Sequence, residues 1–258
     1  MKRAARLEAI LEMLAGQGEV GVDELVERFE ASPATIRRDL DSLAARRLLT
    51  RTHGGAVGQS VAYELPIRYK SHQQTGHKER IAAAAARLVE PGAVIGLSGG
   101  TTTTAIAGAL AARDDLSGVG VTVVTNAVNI AAQLAMRPDI KVVVTGGVIH
   151  SRSFELVGPF VEQLLRGVRL DIAFIGVNAM DPVDGARTND EREAAVNRMM
   201  AERAQRAVIV ADSSKVGTGS FASIGGADLF QTLITDSGLS TSLREEFTAA
   251  GYRVVIAD

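Results

Sequence analysis

From residue 93 to residue 258, seven strand-sized apolar runs recur, and helical patterns fill most of the gaps. The runs are Ala93 to Leu97, Val121 to Thr125, Lys141 to Thr145, Asp171 to Gly176, Ala207 to Ala211, Thr232 to Thr235 and Arg253 to Ile256. The helical segments are Glu79 to Val89, Thr103 to Ala111, Val128 to Ala135, Phe160 to Leu165, Asp190 to Gln205 and Leu243 to Ala250. Buried strands alternating with helices predict an α/β fold with an open, mostly parallel sheet covered on both faces. Such sheets take ligands at the carboxyl ends of their strands.

The N-terminal part follows a different period. Leu7, Ile10, Leu11 and Leu14 lie at helical spacing, and Val22, Leu25, Val26 and Phe29 repeat it after a turn at Gly16 to Gly18. Ser32-Pro33 predicts a third helix, because the serine oxygen can accept an orphan amide and proline at the first helical position gives up no needed donor. Ile36, Leu40 and Leu43 form its apolar stripe, so Ala34, Thr35, Arg38 and Asp41 face the other way with Arg37 on the flank. Helix, helix, a three-residue turn and a third helix make a helix-turn-helix, to which Leu48 to Val57 adds a hairpin wing. The expected organisation is a winged helix-turn-helix over 1–58, a linker over 59–77 that is polar and holds Pro66, and an α/β domain for effector sensing and oligomerisation over 78–258.

Charge supports a DNA-reading surface on the third helix. The net charge of -2 conceals a gradient: positions 8–30 carry one basic and seven acidic residues, and positions 32–58 carry five basic and two acidic ones. Ser32, Ala34, Thr35, Arg37, Arg38, Arg51 and His53 are the expected DNA-contacting set, with Arg38 and Thr35 reaching base edges and Arg37, Arg51 and His53 meeting phosphates. A solvated helix face on a small bundle would carry similar charges, but here the Ser-Pro cap, the two preceding helices and the basic flank coincide.

Composition removes several other classes. With no cysteine there is no disulfide framework, no thiolate metal site and no cysteine nucleophile, and His53, His72, His77 and His150 are the only imidazoles. No metal and no cofactor is expected. No run approaches the roughly 20 apolar residues that cross a bilayer, and no signal core opens the chain, so a cytoplasmic protein without a membrane partner is expected.

Ser98-Gly99-Gly100-Thr101-Thr102-Thr103-Thr104 follows the first strand and opens a helix, where backbone amides, hydroxyls and the helix dipole favour an anion. It lacks the lysine of a Walker A loop and the spacing of a dinucleotide fingerprint, which disfavours nucleotides. The effector-binding set is Ser98, Gly99, Gly100, Thr101, Thr102, Thr103, Asn126, Gly146, Gly147, Arg152, Asn178, Asp212 and Lys215. Lys215 and Arg152 are expected to meet a phosphate, and Asn126 or Asp212 sugar hydroxyls. The glycines at these strand ends also fit plain strand-to-helix turns.

These residues carry a resemblance. Residues 6–56, with the TIRRDL core and the terminal HGGA, resemble the DNA-binding domain of the DeoR family of bacterial transcription regulators. GLSGGTTTT, VVTNAVNIA, VVVTGG, LVGP, DIAFIGV, VADSSK and LITD resemble, in order, that family's sugar-sensing domain, which is similar in fold to ribose-5-phosphate isomerase and coenzyme A transferases. The resemblance implies double-stranded operator DNA and a phosphorylated-sugar effector as partners, and repression of a sugar-catabolic operon. The family pattern differs at three places: Gly where Arg47 stands, Asp-x-Gly where Ser98-Gly99-Gly100 stands, and Asp where Asn178 stands. An acidic acceptor for a sugar hydroxyl is therefore expected to be missing from the loop.

The competing class is a sugar-phosphate isomerase-like enzyme with an N-terminal extension. It needs a positioned carboxylate beside its acid partner, and the isomerase family's paired aspartates are replaced here by Gly176-Val177-Asn178-Ala179. No catalytic residue is therefore assigned. A helix-turn-helix reading paired half-sites implies a homodimer or homotetramer.

Overall fold

The structure is a computed structural model that describes residues 3–46, 48–57 and 74–258. It divides into two compact units, Met1–Gln73 and Gln74–Asp258. Arg47 and the expected linker as far as residue 73 lie outside the described residues.

In the first unit, α1 (Arg3–Gln17), α2 (Val22–Phe29) and α3 (Pro33–Ala45) bury the expected stripes. Leu7, Ile10, Leu11 and Leu14 meet Leu25, Ile36, Leu40 and Leu43 in one core. The first helix continues through Gly16, and Gly18, at φ +80°, takes the left-handed turn instead. The wing has one strand more than expected: β1 (Glu19–Gly21) joins β2 (Thr50–Arg51) and β3 (Gly55–Val57) in an antiparallel sheet of order β1-β3-β2. Gly55 is required there, because a Cβ would run into the carbonyl of Val20 on the neighbouring strand.

The second unit opens with α4 (Thr75–Ala86), so Thr75 to His77, expected in the linker, are already helical. The main strands are β4 (Val94–Leu97), β5 (Val121–Thr125), β6 (Ile140–Val144), β9 (Leu170–Gly176), β12 (Ala204–Val210), β14 (Thr232–Asp236) and β15 (Arg253–Ala257). They form one sheet of order β15-β14-β12-β9-β4-β5-β6, parallel at every pairing. The helices between them are α5 (Thr101–Ala111), α6 (Val128–Leu134), α7 (Pro159–Arg166), α8 (Glu191–Glu202) and α9 (Thr241–Ala249). The helix expected over Asp190 to Gln205 ends at Glu202, and β12 begins two residues later; in-register pairing of Ala204 and Arg206 with Leu170 and Ile172 of β9 prevails over their helical pattern.

Period-two alternation divides β9 between two cores. Ile172 and Phe174 pack with Ile81, Leu97 and Val123 on one face, and Ala173 and Ile175 pack with Leu165, Met200 and Ile209 on the other. Five short strands were absent from the sequence expectation: the hairpin β7 (Val148–His150) and β8 (Glu155–Val157), and the antiparallel sheet β10 (Ala179–Asp181), β11 (Gly185–Thr188) and β13 (Ala222–Gly225). All five have only three or four residues, too short for a period to declare itself.

The strand order fixes where a ligand can enter. From β4 the chain builds outward through β5 and β6, then returns to pair β9 on the other side of β4 and builds away through β12, β14 and β15. The order reverses between β4 and β9, and open α/β sheets have their crevice at the carboxyl ends of such strands.

Candidate functional sites

On α3, Ser32 caps the helix by accepting the Thr35 amide (3.2 Å), and its Oγ lies 2.9 Å from the Thr35 hydroxyl. Ala34, Arg37 and Arg38 are exposed on this helix, with Thr35 partly so, and His53 is exposed on the wing. Arg51 is engaged within the unit. Its Nε donates to Asp41 (3.0 Å) and its Nη1 to the carbonyl of Gly55, so this guanidinium fastens the wing to α3. Asp39, overlooked in the sequence because it belongs to a charged helix, is buried. It accepts Arg6 Nε at 2.7 Å and Arg3 Nε at 3.2 Å, clamping α1 to α3.

At the switch point of the large sheet, Gly100 stands at φ +128° as the cap of α5, a conformation open to glycine. Its carbonyl accepts the Thr104 amide and the hydroxyls of Thr103 and Thr104 at 3.0, 3.0 and 2.6 Å. The first intrahelical acceptor is thus taken by Thr104, and the amides that precede it have no acceptor within the helix. Thr102 and Thr103 are themselves buried, Thr103 completely, so of the first three helical residues Thr101 alone is partly exposed at the helix start.

Ser98, in the expected effector-binding set, lies in the framework of the sheet. It is fully buried, its Oγ donates to the Gly99 carbonyl and accepts the Gly176 amide at 2.9 Å, and it thereby joins the ends of β4 and β9. Gly147, at φ +116°, makes the turn into β7, and a Cβ there would lie 2.7 Å from Val161 Cγ2. Gly146, at φ +72°, belongs to the same turn.

A buried carboxylate from another strand lies against the loop. Glu155, on β8, is buried with its carboxylate against Gly99: a Cβ at residue 99 would lie 2.5 Å from Oε1. Its Oε2 accepts Asn126 Nδ2 at 2.9 Å, while Asn126 Oδ1 is buried with no partner among the described residues. A second buried carboxylate, Glu193 in the first turn of α8, accepts the Ser153 hydroxyl at 2.5 Å and lies 2.7 Å from His150 Nδ1. The turn between β7 and β8, which carries Arg152, is thereby held at both shoulders. Thr188 donates to Asn178 Oδ1 at 2.6 Å, so Asn178 is committed to β11.

Lys215 closes a short 3₁₀ turn, Ser213–Lys215, capped by Asp212 accepting the Ser214 amide and hydroxyl. Asp236, at the end of β14, sits behind this turn. Burial opposes its ionisation, but hydrogen bonds from the Ser213 amide, the Gly238 amide, the Ser213 hydroxyl and His77 outweigh it and hold the carboxyl below the usual range. Glu155, Glu193, Asp236 and Ser153 escaped the sequence reading, and His77 and His150 were noted there only as imidazoles. A Glu inside the apolar run Glu155-Leu156-Val157 was the one local signal. Among the described residues no group of three or more His, Asp or Glu side chains could hold a metal ion, and no helix is long and apolar enough to cross a membrane.

Comparison with known proteins matches both units. Residues 6–60 match the DeoR-like helix-turn-helix domain, and residues 73–237 the DeoR C terminal sensor domain. The glycerol-3-phosphate regulon repressor of Escherichia coli (strain K12) is 32% identical over 248 residues, covering 96% of each chain. The HTH-type transcriptional regulator GlpR of Haloferax volcanii is 36% identical over 256 residues, covering 99% of this chain and 98% of its own. Among solved structures, ribose 5-phosphate isomerase A of Methanocaldococcus jannaschii is similar over 54% of this chain and 53% of its own, with a TM-score of 0.41 and 20% identity.

Proposed function

Because the chain belongs to the DeoR family of transcription regulators, matched in both domains and by relatives over its full length, we propose that it represses a sugar-catabolic operon and leaves its operator when a phosphorylated sugar fills the switch-point crevice. The observation that carries this reading is the convergence at the strand ends. The α5 start at Thr101, the Arg152 turn and the Lys215 turn offer anion-binding groups, and the buried carboxylate of Glu155 lies against the same loop. An anion and hydroxyls are what a sugar phosphate presents. The name of the E. coli relative makes glycerol 3-phosphate the first compound to try.

In this proposal Ser32, Ala34, Thr35, Arg37, Arg38 and His53 face double-stranded DNA, and Arg51 supports them by holding the wing. The protein acts in the cytoplasm as a homodimer or homotetramer, since paired recognition helices match a two-fold operator. The site binds and does not catalyse; likeness of fold to an isomerase carries no activity. A gel shift with the protein's own upstream DNA, with and without phosphorylated sugars, tests the whole reading. A shifted band released by one sugar phosphate, but not by the matching free sugar, is expected. No shift on that DNA, or release by free sugar alone, would refute it. A thermal-shift screen finds the compound, because a ligand at 100 times its Kd stabilises the folded state by about 2.7 kcal/mol.

A further inference from the structure

Asp236 is fully buried, and its carboxylate serves two separate parts of the second unit. Oδ2 accepts the Ser213 amide at 2.7 Å, and Oδ1 accepts the Ser213 hydroxyl at 2.9 Å, so the turn bearing Lys215 is fixed at its first residue. Oδ1 also accepts the Gly238 amide at 2.9 Å and meets His77 Nδ1 at 2.8 Å. The fit is close: a Cβ on Gly238 would collide with Ser213 Oγ and lie 2.9 Å from Asp236 Oδ1. His77 is the third residue of α4, the helix that follows residues 58–73 in the chain. Arg80, one turn on, brings Nη2 to 3.4 Å from the same imidazole nitrogen, so the carboxylate is the acceptor for which His77 Nδ1 is oriented.

Apolar burial does not account for this contact. Ile81, Ala82 and Ala85 already fasten α4 to the sheet, one turn beyond His77. His77 is 37% exposed in its side chain and adds a directional bond to an element that is otherwise anchored. We propose that His77 and Asp236 are positioning residues that make the Lys215 turn and the first turn of α4 move as one, so that a ligand seated on Lys215 is felt where the sensor unit begins. This inference rests on the reading of the Lys215 turn as part of the phosphate site. Its mechanism is a shared carboxylate: a shift of Ser213 by a fraction of an ångström cannot keep both bonds to Asp236 unless the carboxylate follows, and His77 follows the carboxylate.

The test is hydrogen–deuterium exchange on the full chain, with inorganic phosphate as the probe and chloride at matched ionic strength as the control. In the wild type, phosphate should slow exchange several-fold both in 213–218 and in 75–80. In His77→Ala the slowing should persist in 213–218 and be lost in 75–80. His77→Asn places an amide nitrogen where Nδ1 stood and should restore it, which a merely destabilising lesion would not predict. Equal slowing of both segments in His77→Ala, or slowing confined to 213–218 in the wild type, overturns the coupling while leaving the phosphate site standing. No slowing of 213–218 in the wild type overturns the site and the coupling together.

Discussion

Gly99→Ala tests the feature of the crevice that sequence reading did not foresee. The backbone at residue 99 lies outside the left-handed region, so alanine brings no conformational penalty of its own. Its Cβ, however, would overlap Cγ and Cδ of Glu155 and approach Oε1 to 2.5 Å, where ordinary contact needs about 3.5 Å. Glu155 is buried and bonded to Asn126, so relief means moving its carboxylate away from Asn126. A hydrogen bond to a charged group is worth about 1.5–3 kcal/mol, and forced overpacking costs about 1–3 kcal/mol. Part of the two is the same displacement, so a total near 3 kcal/mol is expected. Urea denaturation of the full chain, followed at the transition of the second unit, measures it. In a Glu155→Ala background the obstruction is gone, and adding Gly99→Ala should then cost less than about 0.5 kcal/mol. Equal costs of Gly99→Ala in the two backgrounds, or no cost in the wild type, would show that Glu155 does not lie on Gly99.

Asp39→Ala should destabilise the first unit by about 2–4 kcal/mol, since Arg6, only 11% exposed in its side chain, loses its partner; the loss should shrink when Arg6→Ala is already present, and urea denaturation of the four proteins decides. Asp236 has a folded pKa below its unfolded value of about 3.9, so its ionised form contributes stability that is present above that value and lost as pH falls through the lower folded one. The stability difference between wild type and Asp236→Asn should therefore be constant near neutrality and shrink below about pH 4, and a difference that grows on acidification would contradict the assignment. Arg38→Ala, on the exposed face of α3, should cost about 1–3 kcal/mol on the operator and much less on random DNA, measured by fluorescence anisotropy; equal losses on both would remove Arg38 from base readout. Arg51→Ala should instead loosen the wing, raising amide exchange at Thr50 to Val57 before DNA is added.

Local patterns in the chain determined the helices of the first unit and the seven main strands of the second. The stripe Ile36, Leu40 and Leu43, the Ser32-Pro33 start and the seven apolar runs each express a period or a cap within a few residues, and such signals survive without knowledge of the rest of the molecule. The same locality made the glycine-threonine loop legible as a helix start able to favour an anion, and the TIRRDL and HGGA segments legible as a family resemblance. What the tertiary structure decided is everything that depends on which strands are neighbours. Strand order put the topological switch point between β4 and β9, and no periodicity encodes an order. It made Ser98 a tie between those strands, because Gly176 arrives from 78 residues away. It also brought Glu155, Glu193 and Asp236 to the strand ends, from segments whose own patterns do not specify a buried carboxylate site. A buried carboxylate is recognised by the donors around it, and those donors, Asn126, Ser153, Ser213 and His77, are assembled only when distant parts of the chain pack together.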